Sequence, residues 1–146
     1  MEQTEEKKPK KKILGIVISV IAFGVAYYVS QSFFKAPSFD KVLMQTASEI
    51  NKTCPISIDQ YTRLDNTVAL PGNIFQYNYT MVTLAKSDVN ADTLKMKIEP
   101  GIVNTVKTSP DMKVFRDNKT TINYSYKDKD GVFVFQISVT PDKYTN

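Results

Sequence analysis

The sequence predicts an α+β domain of the form αββαββ behind an N-terminal transmembrane helix, with an antiparallel sheet of about four strands and two helices on one face. Three patterns carry this reading. Residues 13–34 form an uncharged apolar run, two later stretches repeat apolar residues every three or four positions, and several shorter ones alternate with period two.

The run from Ile13 to Phe34 holds 22 residues without a charge, bracketed by Lys12 and Lys35. As a helix it reaches roughly 33 Å, enough to cross a hydrocarbon core. Tyr27, Tyr28, Phe33 and Phe34 gather at its C-terminal end, where aromatic rings favour the membrane interface. Residues 1–12 carry five Lys against three Glu. The positive-inside bias therefore puts this basic tail in the cytoplasm and the domain of residues 35–146 outside it. A cleaved signal peptide fits less well, because its apolar core is usually about 7–15 residues long. Bulky Tyr27, Tyr28 and Val29 also precede the small residues Ser30-Gln31-Ser32. Gly15, Ser19, Ala22 and Ala26 make a small-residue stripe along which a second helix can approach.

Beyond Ala36-Pro37, Ser38 is placed to cap a helix in which Phe39, Leu43, Ala47 and Ile50 share one face. Pro55 stops that helix at about Lys52 or Thr53. Residues 56–70 read as extended with short breaks, up to the turn Pro71-Gly72. From Ile74 to Leu84, Phe75, Tyr77, Tyr79 and Met81 alternate with Gln76, Asn78, Thr80 and Val82, the mark of a strand with two unlike faces. Leu94, Ile98, Ile102 and Val106 predict a helix over 91–107, with a kink or break at Pro100-Gly101. Met112 and Phe115 fit one helical turn plugging the core. Strands at 120–127 and 132–140 flank Asp128-Lys129-Asp130-Gly131, a hairpin turn.

Composition narrows the chemistry. With one Cys and no His, the chain cannot form an internal disulfide, a Cys/His zinc site or an imidazole-based catalytic group. The net charge of +4 splits evenly between the tail and the long remainder, so the domain lacks the concentrated basic face that nucleic acid requires. No cofactor is implied. Cys54 follows a helix C-terminus, where the dipole disfavours a thiolate. Its expected role is packing at the helix end, with an interchain disulfide as the other possibility. Asp59, Arg63 and Asp65 lie close together; the two carboxylates can do acid–base chemistry, but the expected role is an Arg–carboxylate fork that knits an irregular segment. Asp128-x-Asp130-Gly131 is not a calcium loop, because an EF-hand needs a ligand at Tyr126 and a carboxylate at Ile137. Tyr77, Tyr79, Tyr124 and Tyr126 read mainly as cross-strand packing beneath the helices. Any of them that faces outward is the expected binding surface.

The segment Ala47-Ser48-Glu49-Ile50-Asn51-Lys52-Thr53-Cys54-Pro55, with Asp59, Thr62-Arg63-Leu64-Asp65 and Phe75-Gln76-Tyr77-Asn78-Tyr79-Thr80, resembles a group of small bacterial proteins. Val106-Lys107-Thr108-Ser109-Pro110-Asp111 and Phe115-Arg116-Asp117 extend the likeness, which covers about residues 42–145. Those proteins carry an N-terminal membrane segment or signal before an extracytoplasmic α+β domain. The resemblance implies a bacterial source and an envelope location, and brings no catalytic residue or ligand. The expected function is that of a single-pass plasma-membrane protein whose external domain contacts another envelope protein or its own copies. The rival is an envelope hydrolase or transferase using Asp59, Asp65, Arg63 and a hydroxyl.

Overall fold

The helical spacing of Phe39, Leu43, Ala47 and Ile50 produces α1 (Phe39–Asn51) in the computed structural model, which describes residues 38–145. The predicted tail 1–12 and membrane helix 13–34 lie outside these residues. Among the described residues no helix is long and apolar enough to cross a membrane. Ser38 stands at the N-cap position, but its side chain makes no capping bond. Its carbonyl instead accepts the Lys41 amide at 2.8 Å.

Next in the chain come β1 (Ile56–Ser57), β2 (Thr62–Leu70), β3 (Ile74–Met81) and α2 (Ala91–Thr108). The short α3 (Lys113–Asp117), β4 (Thr121–Lys127), β5 (Phe133–Val139) and α4 (Pro141–Tyr144) complete the order. The strands form one sheet in the order β1-β2-β3-β4-β5, so there are five strands where about four were expected. The extra one is the two-residue edge piece Ile56–Ser57, paired with Leu64 and Arg63. The fully antiparallel expectation also fails, because β3 and β4 run parallel. The cause is α2: a helix between adjacent strands carries the chain back to the end it left, so the next strand points the same way.

Period-two alternation sorts the strands into two faces. Register places Phe75 beside Ile122, Tyr77 beside Tyr124 and Tyr79 beside Tyr126, then Ile122 beside Val139 and Tyr126 beside Phe135. Leu43 and Ala47 of α1, Val106 of α2, and Met112 and Phe115 all join this one buried cluster, so both long helices lie on the same face as predicted. Phe75, Ile122, Ile137, Val106 and Val139 are sealed from solvent. Each such side chain contributes about 1.5–3 kcal/mol on burial. That scale explains why α2 runs unbroken through Pro100. A proline inside a helix costs about 3 kcal/mol, and the apolar residues Leu94 and Ile98 before it and Ile102 and Val106 after it all pack on the cluster.

Polar side chains then close the irregular parts. Asn51 donates to the Thr67 carbonyl at 2.8 Å and accepts the Thr67 amide at 2.7 Å. It thereby supplies the backbone pairing that β2 lacks beyond β1, and fastens the end of α1 to the sheet. Asn90 caps α2 by accepting the Thr93 amide at 2.9 Å. At the other end Arg116 donates to the carbonyls of Val106 and Ser109, at 2.6 and 2.7 Å. The β4–β5 turn depends on buried Asp128. Its Oδ1 accepts the amides of Asp130 and Val132, and its Oδ2 accepts that of Lys86 at 2.9 Å, joining the turn to the loop after β3.

Candidate functional site

On the helix-bearing face, four tyrosines fill the centre of the sheet. β3 contributes Tyr77 and Tyr79, and parallel β4 sets Tyr124 and Tyr126 directly beside them. Their rings stack. Tyr77 and Tyr124 have centroids 5.3 Å apart with planes 12° from parallel, and Tyr79 and Tyr126 are 5.2 Å apart at 18°. Phe135 extends the stack from Tyr126 at 4.7 Å, and Phe75 meets Tyr77 edge-on at 5.2 Å. Tyr124 and Tyr126 are buried, while Tyr77 and Tyr79 are half-buried. The packing expectation therefore describes the β4 pair, and the β3 pair stands nearer to solvent.

None of the four hydroxyls has a hydrogen-bond partner among the described residues, whereas Tyr144 donates to the Thr120 carbonyl at 2.8 Å. Burial raises the pKa of all four phenols above the ordinary range, with that of Tyr79 pushed up to about 12. Smaller contributions come from neighbours: Tyr79 and then Asp111 act on Tyr77, Cys54 on Tyr79, and Tyr79 and then Asp59 on Tyr126. The hydroxyls thus stay protonated at neutral pH and act as neutral donors set among apolar rings. Asp111 was not singled out from the sequence, because nothing in its local pattern shows that the turn after α2 approaches Tyr77.

The other predicted residues divide between this layer and the loops. Cys54 is half-buried and free, and its thiol is pushed up by burial first and by Asp65 second. Asp59 turns its carboxylate back on its own loop, where Oδ1 accepts the amides of Tyr61 at 2.7 Å and Thr62 at 2.8 Å. Arg63 donates from Nε to Asp65 Oδ1 at 2.6 Å, and Thr80 donates to the other oxygen at 2.5 Å. Arg63 thus meets Asp65 through a single bond and does not meet Asp59, so the expected fork does not form; Asp59 holds its own loop, and Asp65 links β2 to Thr80 of β3. A cavity of about 250 Å³ lies elsewhere, lined by Asp40, Leu43, Met44, Ala69, Leu70 and Pro71. Among the described residues no three Cys, Asp or Glu side chains gather as a metal site.

Comparison with known proteins gives a fold and a family. No curated protein matches the chain. Among solved structures, a candidate secreted protein of Pseudomonas aeruginosa has the same fold, with a TM-score of 0.59 at 14% identity over 71% of this chain and 90% of that one. The type II secretion system pilotin AspS of Vibrio cholerae follows, with a TM-score of 0.54 at 12% identity over 71% of this chain and 90% of its own. The pilotin EpsS from the Vibrio vulnificus type 2 secretion system gives 0.55 at 12% identity, over 71% and 89%. At such identities the likeness is one of fold. The sequence itself carries the closer relation: residues 38–134 match the family model described as a domain of unknown function, DUF8479, and the chain belongs to that family.

Proposed function

We propose that the chain is a non-enzymatic component of the bacterial envelope, and that its domain holds another envelope protein, or a second copy of itself, against the tyrosine layer. One observation carries this reading. The half-buried rings of Tyr77 and Tyr79, stacked on the buried Tyr124 and Tyr126, carry neutral hydroxyl donors without a partner among the described residues. Tyrosines in this state supply large apolar contact and a directed hydrogen bond together, the combination that protein interfaces favour. Two structures with the same fold are pilotins of type II secretion systems, which supports a role in an assembly.

The uncharged run 13–34 and the lysines before it support a single pass through the plasma membrane, with the tail inside and the domain outside. The Asn51-Lys52-Thr53-Cys54-Pro55 motif supports the same envelope setting. A reporter active only outside the cytoplasm, fused after Asn146, should be active; a silent reporter on an accumulated fusion would reverse the topology. For the partner, a photo-crosslinking residue at Tyr79 in the native host should capture one discrete envelope protein or the chain itself. The same residue at exposed Met96 should not. Equal capture from both positions would remove the tyrosine layer as the interface.

A further inference from the structure

The outer edge of β2 is covered only in part. β1 reaches no further than Leu64 and Arg63. Beyond it, the Asn51 side chain takes both the amide and the carbonyl of Thr67, at 2.7 and 2.8 Å, so these two groups point away from β3. Outward-pointing residues alternate along an antiparallel strand. Pairing with β3 runs without a break from Asn66 beside Asn78 to Leu70 beside Ile74, so Ala69 also turns its N–H and C=O outward. Neither group finds a backbone partner among the described residues. Beside Ala69 lies the cavity of about 250 Å³, walled by Leu43, Met44, Leu70 and Pro71, with Asp40 as its one charged residue. Asp40, Met44, Ala47 and Asn51 form one stripe of α1 by their spacing. The later half of that stripe grips Thr67, through Asn51 and through the Ala47 carbonyl, which accepts Thr67 Oγ1 at 3.3 Å. Along the earlier half, the cavity stands between helix and strand. The Asp40 carboxylate enters no ion pair among the described residues.

We propose that this notch binds an extended segment of a protein partner, with one arginine or lysine of that segment seated in the cavity. The segment's backbone pairs with the N–H and C=O of Ala69 and continues the row that the Asn51 amide begins. Asn51 also fixes the register, because it already fills the place beside Thr67. A residue directly opposite Ala69 projects its side chain on the same face of the sheet as Ala69. That face is the one α1 covers, since Ala69 packs with Leu43 and Ala47 against the core. The projecting side chain therefore enters the cavity. A basic one matches it at both ends, with its apolar stem against Leu43 and Met44 and its charge toward Asp40. The volume suits one long side chain, as clefts for small molecules usually span about 300–1,000 Å³. The neighbours of the basic residue point to the other face, where exposed Val68 offers apolar contact. The notch shares no residue with the four tyrosines and is a second site beside the one proposed above.

The test follows amide NMR shifts of the isotope-labelled full chain in zwitterionic detergent. The probe is a capped pentapeptide with one arginine between two valines and a threonine at each end. Saturable shifts at Ala69, Leu70 and Met44 are expected. Citrulline in place of the arginine keeps the shape and removes the charge, and should weaken binding about two- to fivefold, the scale of one exposed ion pair. Asp40→Asn should lose the same factor toward the arginine peptide and none toward the citrulline peptide. Methylating the arginine's backbone nitrogen deletes the donor to the Ala69 carbonyl and should weaken binding roughly two- to tenfold. Ala69→Pro deletes the strand's own donor with a similar loss, and should keep its thermal midpoint because an outward N–H on an edge strand tolerates proline. If that variant unfolds, the methylated peptide carries the same test. Absence of saturable shifts at millimolar peptide would overturn the proposal. So would equal affinity for the arginine and citrulline peptides, unchanged affinity for the methylated one, or self-association of the chain that Ala69→Pro abolishes.

Discussion

Tyr79 and Tyr126 stand opposite each other on parallel strands, with ring centroids 5.2 Å apart and planes 18° from parallel. Their contact joins β3 and β4 at the helix-bearing face, where one ring is half-buried and the other buried. The two residues therefore separate packing from recognition. Tyr126→Ala removes a buried ring and should cost about 3–5 kcal/mol in urea unfolding. Tyr79→Phe keeps the stack and removes only a hydroxyl without a partner, so stability should change by less than about 0.5 kcal/mol. Capture of the protein partner should nonetheless fall in Tyr79→Phe. A large stability loss in that variant would show that the hydroxyl serves the fold.

The same layer sets an alkaline limit. Burial raises the phenol of Tyr79 to about 12, and Tyr77, Tyr124 and Tyr126 are raised further. The folded state thus holds these protons more tightly than the unfolded chain does, so the contribution is complete below about pH 10. It declines as pH rises from there through the folded-state value. Urea midpoints should fall between pH 10 and 12, and less steeply in Tyr79→Phe. Phenolate absorbance should show these rings ionising together with unfolding.

Asp128 sets the acid limit. Burial opposes its charge, but the amides of Lys86, Val132 and Asp130 together outweigh burial and hold its carboxyl below the usual carboxylate range. A depressed folded-state value gives stability that is present above the unfolded value and lost as pH falls through the folded one. Asp128→Asn should therefore lower stability at pH 7 and flatten the acid side of the stability profile. An unchanged profile would assign the acid limit to other carboxylates.

Asn51 offers a third check on the fold. Its amide satisfies both the N–H and the C=O of Thr67, at 2.7 and 2.8 Å. Asn51→Ala should cost about 1–3 kcal/mol by leaving both groups without that partner. Asn51→Asp keeps the acceptor and loses the donor, so its urea midpoint should fall between the two.

Much of this architecture was legible in the sequence, for a definite physical reason. Side-chain periodicity records which face a residue turns to its neighbours, so Phe75, Tyr77 and Tyr79 announced a strand, and Leu94, Ile98 and Ile102 a helix. It does not record which strand lies beside which. The parallel pairing of β3 with β4 was hidden, and with it the stacking of Tyr77 on Tyr124 and Tyr79 on Tyr126. The break at Pro100 does not occur, because the burial of apolar residues on either side of it outweighs the local penalty. Asp128 also reaches the Lys86 amide and Arg116 the carbonyls of Val106 and Ser109, contacts that no local pattern records. Asn123 and Ser125 are buried because β4 lies between β3 and β5, a position that the strand's own pattern does not record.

Cys54 supplies the last prediction. It follows the end of α1, is half-buried, and has a thiol whose ionisation is disfavoured by burial and then by the negative charge of Asp65. At neutral pH the group is a thiol, a poor nucleophile, and it should react with iodoacetamide more slowly than free cysteine does. Cys54→Ala should cost on the order of 1 kcal/mol by removing one partly buried sulfur. The variant should fold, and photo-capture from Tyr79 should persist, because ring stacking and not the thiol forms the surface. Non-reducing electrophoresis of the native chain should give a monomer band. A dimer band that Cys54→Ala abolishes would instead make this residue a covalent link between copies, and loss of capture in the same variant would place that link in the interface.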